Sequence, residues 1–412
     1  SYTGFWSDSG SHVYMSLNFI GQWDWFLSDY NFRSPLVPGF LSFEIALTGE
    51  QYFVYWTSIL LYISVLWKIQ NLAERFSNKF RSFLCMFVFA ILPTTRFWGQ
   101  MVMTDVAVTG MLFFLVNVMI YSEDNPKNSY NSMPIGIIAG LVFLTKYTFI
   151  YLVGAILLRY LLKSDIKKAV QFLIGWLFIT LPFLFHQLIE YGHPFKPLIH
   201  QTEFVVLSVT TQAGSYSWQV FLGELIHEVG IAIILLSIYA FVKIYMLRKS
   251  DFDIISLILF PLIVINAIIL DWGEPRYNLP ILAFILLFCS VDFIDYKRLS
   301  GAISLKYKST HLFPYVCTFL MIITGASHLA SLPSESYDSS EQITDFNRWI
   351  DFSMVPVNEL EDTDILLAGW GRTIGVKGDI HSIWTGRYNG DPIYMSAEKY
   401  QSATHLLTTN VA

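Results

Sequence analysis

Apolar runs of about 20 residues recur along this chain of 412 residues, and no other feature restricts its fold so strongly. They fall at roughly 52–69, 82–98, 105–122, 135–162, 169–188, 220–247, 254–271, 278–294 and 311–331. Only 14% of the residues are charged and 54% are hydrophobic, with a mean hydropathy of +0.48. A soluble domain carries about a quarter charged residues, so this composition predicts an α-helical polytopic membrane protein. The run 135–162 is too long for one simple span and holds Lys146 near its middle. A charge is expensive at lipid depth unless it reaches water or a partner. The run is therefore expected to turn at Lys146-Tyr147, which gives ten membrane segments.

Charge sets the expected orientation. One set of loops carries Lys68, Arg75, Lys79 and Arg81, then Arg159, Lys163, Lys167 and Lys168, then Lys243, Arg248 and Lys249, then Lys297, Arg298, Lys306 and Lys308. The other set carries only isolated cations: Arg33, Arg96, Lys146, Lys196 and Arg276. The positive-inside rule puts the first set in the cytoplasm, and the alternation works only if 135–162 crosses twice. Asp8, Asp105, the 191–217 and 271–277 loops and the C-terminal tail are then expected on the outer face. The expected location is the cytoplasmic (inner) membrane, or the endoplasmic reticulum with a lumenal site in a eukaryote.

Two domains are expected. Residues 1–332 form the multi-pass body, whose first helix is expected to precede Ser1. Residues 333–412 are polar and acidic, with a helical pattern near 343–350 and strand-like runs at 364–368 and 404–407 divided by Gly and Pro. They read as a small extracytoplasmic α/β domain whose sheet is expected to be incomplete at Ala412. Cys85, Cys289 and Cys317 all sit in apolar runs, which predicts buried thiols and no disulfide framework. The net charge of −6 carries no basic excess that suggests nucleic acid. No phosphate-binding glycine loop, serine-hydrolase elbow or thiol motif is present, so nothing points to a nucleotide-driven pump.

The unusual polar groups gather on the outer side. Asp8 and His12 are four apart, so a helical turn places them on one face, either as a base with a helper or as a solvated loop acid. Asp24 and Asp29 lie among Trp23, Trp25, Phe26 and Tyr30, the pattern of a helix lying in the interface. Arg33 precedes Pro35 and Pro38; its planar fork suits phosphate, and it equally reads as a snorkelling side chain. Asp105 opens a membrane segment, as a cap favoured by the helix dipole or as the partner of a cation or donor phosphate. Lys146 stands at the turn, and Arg276 with Tyr277 stands just before a segment. Both cations could hold an anionic headgroup, while Arg276 could instead pair with Glu274 or Asp271. His193 occupies a turn, with His186 and His200 at no convincing metal spacing.

The order of these features resembles the GT-C glycosyltransferases, in the branch that uses lipid-phosphate sugars and includes protein O-mannosyltransferases and the aminoarabinose transferases of lipid A. An acid in the first outer loop precedes an interfacial helix and a basic element with proline. Arg33-Ser34-Pro35-Leu36 resembles the family's Lys-Pro-Pro element, and residues 93–105 resemble its second outer loop. Gly140-Leu141 through Thr145-Lys146 resembles a GLxxLTK signature, Tyr191-Gly192-His193-Pro194-Phe195 a GNPF turn, and Arg276-Tyr277 with Pro280 an RYxxP element. Ser9, Arg33, Ser34 and Gln100 depart from the family's pattern.

The resemblance implies transfer of a sugar, with inversion, from a polyprenyl or dolichyl phosphate to an acceptor hydroxyl. Asp8 is the implied catalytic base. Arg33, Lys146, Arg276 and Tyr277 are implied at the donor phosphate, His12, His193 and Glu274 in auxiliary or acceptor roles, and Asp105 at a divalent cation (Mg, Mn or Zn) or as the group that orients a cation. Membrane lipids and other membrane subunits are the further partners expected. Two other readings stay open: a non-catalytic GT-C-like subunit of a larger assembly, which the departures allow, and a lipid transporter or flippase. The latter would place charges at mid-membrane within repeated broken helices, and no repeat is visible.

Overall fold

Apolar stretches in a membrane must satisfy every backbone group internally, so they become helices. The computed structural model describes residues 34–48, 54–99, 103–124, 132–199, 218–247, 249–265, 275–292 and 312–330, with His12, Met15, Ser16, Phe19 and five short strands. The helices run in order as α1 (Leu36–Thr48), α2 (Val54–Phe76), α3 (Lys79–Ile91), α4 (Pro93–Gly99), α5 (Thr104–Asp124), α6 (Met133–Thr145), α7 (Ile150–Leu162), α8 (Ile166–Tyr191), α9 (Trp218–Val229), α10 (Ile231–Leu247), α11 (Lys249–Val264), α12 (Leu279–Ser290) and α13 (Leu312–Ala330). Single-turn 3-10 segments at Tyr147–Phe149 and Pro275–Asn278 lead into α7 and α12. Local chemistry sets several ends. The Asn78 side chain accepts from the Arg81 N–H, Asp165 accepts from that of Lys168, and α8 stops at Gly192 in the left-handed conformation (φ 69°).

The chain is a multi-pass membrane protein. Among the described residues α5, α8 and α13 are each long and apolar enough to cross a membrane, and up to five crossings result if each of two bent pairs counts as one. Leu173, Phe178, Leu181 and Phe185 of α8, and Leu312, Phe319 and Ile322 of α13, point outward as an apolar girdle. At the centre lies α12, all of whose residues are buried. Its Phe284 ring packs 4.6 Å from Phe113 of α5.

The expected turn at Lys146 is present. Gly136 of α6 lies against Phe172 and Trp176 of α8, and Gly140 lies against Ile179 and Thr180, so α6 runs parallel to α8. The Tyr147 ring stacks on Phe183 at 5.7 Å while Tyr160 of α7 packs on Phe172 at 6.1 Å, so α7 returns the opposite way. A methyl group on Gly136 would strike the Phe172 carbonyl oxygen, and one on Gly175 would strike that of Met133. Glycine lets the two backbones touch, the means by which membrane helices pack without a hydrophobic driving force.

Two expected spans are not straight. The stretch 82–98 breaks at Leu92, where α4 leaves α3 at 70°, and 220–247 breaks at Gly230 (φ 81°), where α10 leaves α9 at 99°. Pro93 lacks the N–H an unbroken helix needs, and Gly230 takes a left-handed backbone closed to most side chains. The described part of the segment expected at 254–271 begins earlier, within α11, and α12 is preceded by the 3-10 turn that carries Arg276.

In the tail, β1 (Ile365–Ala368) pairs in parallel with β2 (His381–Trp384) and β5 (His405–Leu407), in the order β2-β1-β5. A two-stranded antiparallel ladder joins β3 (Arg387–Tyr388) to β4 (Asp391–Pro392). The helical pattern expected near 343–350 lies outside the described residues, and among the described residues of the tail these strands stand without a helix.

Ion pairs gather at the two ends of this body. At one end Arg75 meets Asp124 at 3.2 Å, Arg159 meets Glu123 at 2.9 Å, and Arg81 meets Asp292 at 2.5 Å. The other end holds the candidate site.

Candidate active site

Three separate stretches each bring one charged side chain to this second end. Asp105 sits in the first turn of α5, where the helix dipole favours an anion. Lys146 follows α6 with an extended backbone (φ −155°, ψ 111°), which ends that helix and turns the side chain toward α5. Its ammonium group donates to Asp105 Oδ1. Arg276 comes from the 3-10 turn before α12, and its Nε lies 3.7 Å from Asp105 Oδ2. Asp105 is 4% exposed and Arg276 5%, so the charges are largely out of water.

Aromatic rings and a sulfur complete the surroundings. Lys146 Nζ lies 4.2 Å from the centre of the Tyr277 ring. The Arg276 guanidinium stands 5.1 Å from the Trp98 ring and 5.2 Å from Tyr277, and Nη1 contacts Met103 Sδ at 3.1 Å. Rings attract cations without neutralising them. One carboxylate thus faces two cations, and the trio keeps a net positive charge suited to an anion such as a phosphate.

A second polar group lies beside the first. Glu224 and Glu228 are four apart on α9 and so share a face. The Glu224 carboxylate accepts from Asn278 Nδ2 at 2.7 Å, two residues beyond Arg276. Glu228 Oε1 accepts from the Thr94 hydroxyl at 2.6 Å and from its N–H at 3.2 Å, so it satisfies the start of α4. The His328 ring, near the end of α13, meets the Glu228 carbonyl oxygen at 2.7 Å.

Of the residues singled out in the sequence, Asp105, Lys146, Arg276 and Tyr277 come together. His193 does not join them: it is exposed, and its Nδ1 accepts from the Phe195 N–H at 3.2 Å within its own turn. His12 is buried, and its carbonyl oxygen accepts from Ser16 Oγ at 2.7 Å. Asp8, Arg33 and Glu274 lie outside the described residues, as do Asp24, Asp29 and Asp271. Asp105 was expected at a divalent cation or as the group that orients a cation, and its described neighbours are cations rather than further metal ligands. Its oxygens face an ammonium and a guanidinium, and among the described residues no three His, Cys, Asp or Glu side chains cluster to hold a metal. The cysteines are buried and free.

Sequence reasoning missed Trp98, Thr94, Glu224, Glu228, Asn278 and His328. A signal existed for two of them. Glu224 and Glu228 stand in a run read as a continuous span, where two acids one turn apart are expensive and mark a site or an interface.

Residues 33–187 match the family model described as dolichyl-phosphate-mannose-protein mannosyltransferase. That stretch includes Asp105 and Lys146 and ends before Arg276. The structure is similar to ArnT from Cupriavidus metallidurans bound to undecaprenyl phosphate, with a TM-score of 0.64 and 13% identity over 97% of this chain and 85% of that one. It is similar to the archaeal oligosaccharyltransferase AglB from Archaeoglobus fulgidus in complex with an inhibitory peptide and a dolichol-phosphate, with a TM-score of 0.55 and 14% identity over 92% of this chain and 60% of that one. A further similar structure is the Archaeoglobus fulgidus oligosaccharyltransferase complex with Zn and sulfate, with a TM-score of 0.51 and 12% identity over 92% and 58%. The chain spans under two thirds of both archaeal proteins, and at these identities the likeness is one of fold. No curated protein matches the sequence.

Proposed function

We propose that this chain is a GT-C glycosyltransferase that moves a sugar from a polyprenyl or dolichyl phosphate to an acceptor hydroxyl, a reading supported by the family match over residues 33–187 and by the fold. The observation that carries the reading is the convergence of Lys146 and Arg276 on one buried carboxylate, at the end of the body away from the Arg75, Arg81 and Arg159 ion pairs. The loop charges favour the outer or lumenal face for that end, in an inner or endoplasmic reticulum membrane. The lipid tail lies in the bilayer and its phosphate rests against the two cations, with Arg33 as a third.

Asp8 takes the proton of the acceptor hydroxyl. The freed oxygen bonds to the anomeric carbon from the face opposite the phosphate, the carbon–oxygen bond to the phosphate breaks, and the lipid phosphate leaves with the electron pair. Lys146 and Arg276 offset the charge that grows on it, and a single positioned donor of this kind is worth about 3–4 kcal/mol. Asp105 holds both cations in place. His12, His193 and Glu274 serve the acceptor side. Residues 1–332 form the catalytic body and 333–412 an outer α/β domain, and other membrane subunits remain compatible with the exposed apolar girdle.

The test is release of free polyprenyl phosphate by the purified protein in lipid nanodiscs, offered a panel of polyprenyl- and dolichyl-phosphate sugars with hydroxyl acceptors. Asp8→Asn is expected to abolish release while the protein still binds lipid phosphate. Full activity of that variant removes Asp8 from the mechanism. Binding without release from any donor points instead to a non-catalytic subunit.

A further inference from the structure

Glu228 is 6% exposed, and its two carboxylate oxygens have different fates. Oε1 takes both hydrogen bonds from Thr94. Oε2 is buried and has no hydrogen-bond partner among the described residues. A buried carboxylate oxygen without a donor carries a heavy desolvation penalty, and the contact with Thr94 does not require it: a glutamine carbonyl oxygen would accept the same two hydrogen bonds without a charge. The position relative to the cations is informative. Thr94 and Trp98 are four apart on α4 and share a face. Glu228 is anchored at Thr94, and Arg276 lies over Trp98. Glu228 and Arg276 thus meet α4 at residues one helical turn apart, a rise of about 5.4 Å. That offset is close to the width of a hexose ring, the group joined directly to a donor's phosphate. The Glu224–Asn278 hydrogen bond ties the same face of α9 to the turn bearing Arg276.

We propose that Glu228 recognises the sugar of the lipid-phosphate donor, its Oε2 accepting a hydrogen bond from a ring hydroxyl while Arg276 and Lys146 hold the phosphate. The inference rests on the donor reading above and assigns a sugar-binding residue to it. Oε1 keeps α4 in register with α9 at the same time, so one side chain links the phosphate end of the site to the sugar end.

The experiment compares affinity for undecaprenyl phosphate alone with affinity for a panel of undecaprenyl-phosphate hexoses and pentoses, in wild type and in Glu228→Gln. Glutamine can still accept from Thr94 through its carbonyl oxygen, so the cap survives, and its amide nitrogen replaces the acceptor at Oε2. Wild type is expected to prefer at least one sugar-bearing lipid over the bare phosphate, by about tenfold for a hydrogen bond to a charged group. Glu228→Gln is expected to lose that preference and to keep its affinity for undecaprenyl phosphate. Should that variant fold poorly, Glu228→Asp, which draws the carboxylate back by one methylene, is expected to show the same loss. A purely structural role would lower binding of every lipid alike. Preference retained in the variants, or no preference in wild type for any sugar, overturns the proposal. Because the readout is binding, wild-type preference without turnover would sink the transferase reading and leave this one standing.

Discussion

Lys146 meets Asp105 across 41 positions of sequence, joining the tip of the α6–α7 hairpin to the start of α5. Removing the part-buried ammonium leaves the Asp105 carboxylate with the Arg276 guanidinium alone at 3.7 Å, at a cost of up to about 3–5 kcal/mol. Lys146→Met is therefore expected to lower the unfolding temperature in detergent markedly. The Asp105→Asn/Lys146→Met double variant is expected to lose less than the sum of the two single losses, because each single change already breaks the Lys146–Asp105 contact, while the Asp105–Arg276 pair is lost once in either case. Strictly additive losses in that double-mutant cycle would show that the two charges do not depend on each other.

Arg276 offers a planar fork that an ammonium group lacks. Arg276→Lys is expected to preserve the net charge near Asp105 and to weaken undecaprenyl phosphate binding by about tenfold, the scale of one charge-assisted hydrogen bond. Equal affinity of the variant and wild type, measured by titration in nanodiscs, would take Arg276 out of the phosphate site.

Gly136 tests the packing of the hairpin. An alanine methyl there would strike the Phe172 carbonyl oxygen, which belongs to a backbone that cannot rotate aside. Gly136→Ala is expected to destabilise the protein by about 1–3 kcal/mol or more, as overpacking does. Gly154→Ala on α7, where no described residue lies within 4 Å of the added methyl, is the control and is expected to leave the unfolding temperature unchanged or raise it slightly.

The opposite end offers a contrast. Arg81 and Asp292 form a buried ion pair at 2.5 Å, and the Asp292 N–H donates to the Phe76 carbonyl at 2.8 Å. Asp292→Asn is expected to cost about 3–5 kcal/mol of stability while the affinity of the remaining folded protein for undecaprenyl phosphate stays the same. A specific loss of lipid binding would mean that this end also takes part in donor recognition.

Much of the body could be read from the chain, and the reasons are particular. Lys146 in an over-long apolar run forced a reversal, because a lysine cannot rest at lipid depth unaided, and the structure reverses there. The elbows at Leu92 and Gly230 escaped notice because hydropathy records how apolar a stretch is and not where it points. Pro93 and Gly230 were the available clues. Asp105, Lys146 and Arg276 were each conspicuous as charges beside apolar runs, yet their meeting depends on how four helices pack, and no spacing in the chain encodes that. Glu228 was hidden by the same averaging that merged α9 with α10.

The contact of α6 with α8 through Gly136, Gly140 and Gly175 also has a mechanical side. Lys146 hangs from a post whose two backbones already touch, so it has nowhere to retreat. Arg276 is braced by α4 and α9, each of which leaves its neighbour through a sharp elbow. An arriving lipid would therefore meet one fixed charge and one adjustable charge, and any closing stroke would have to come from the elbows.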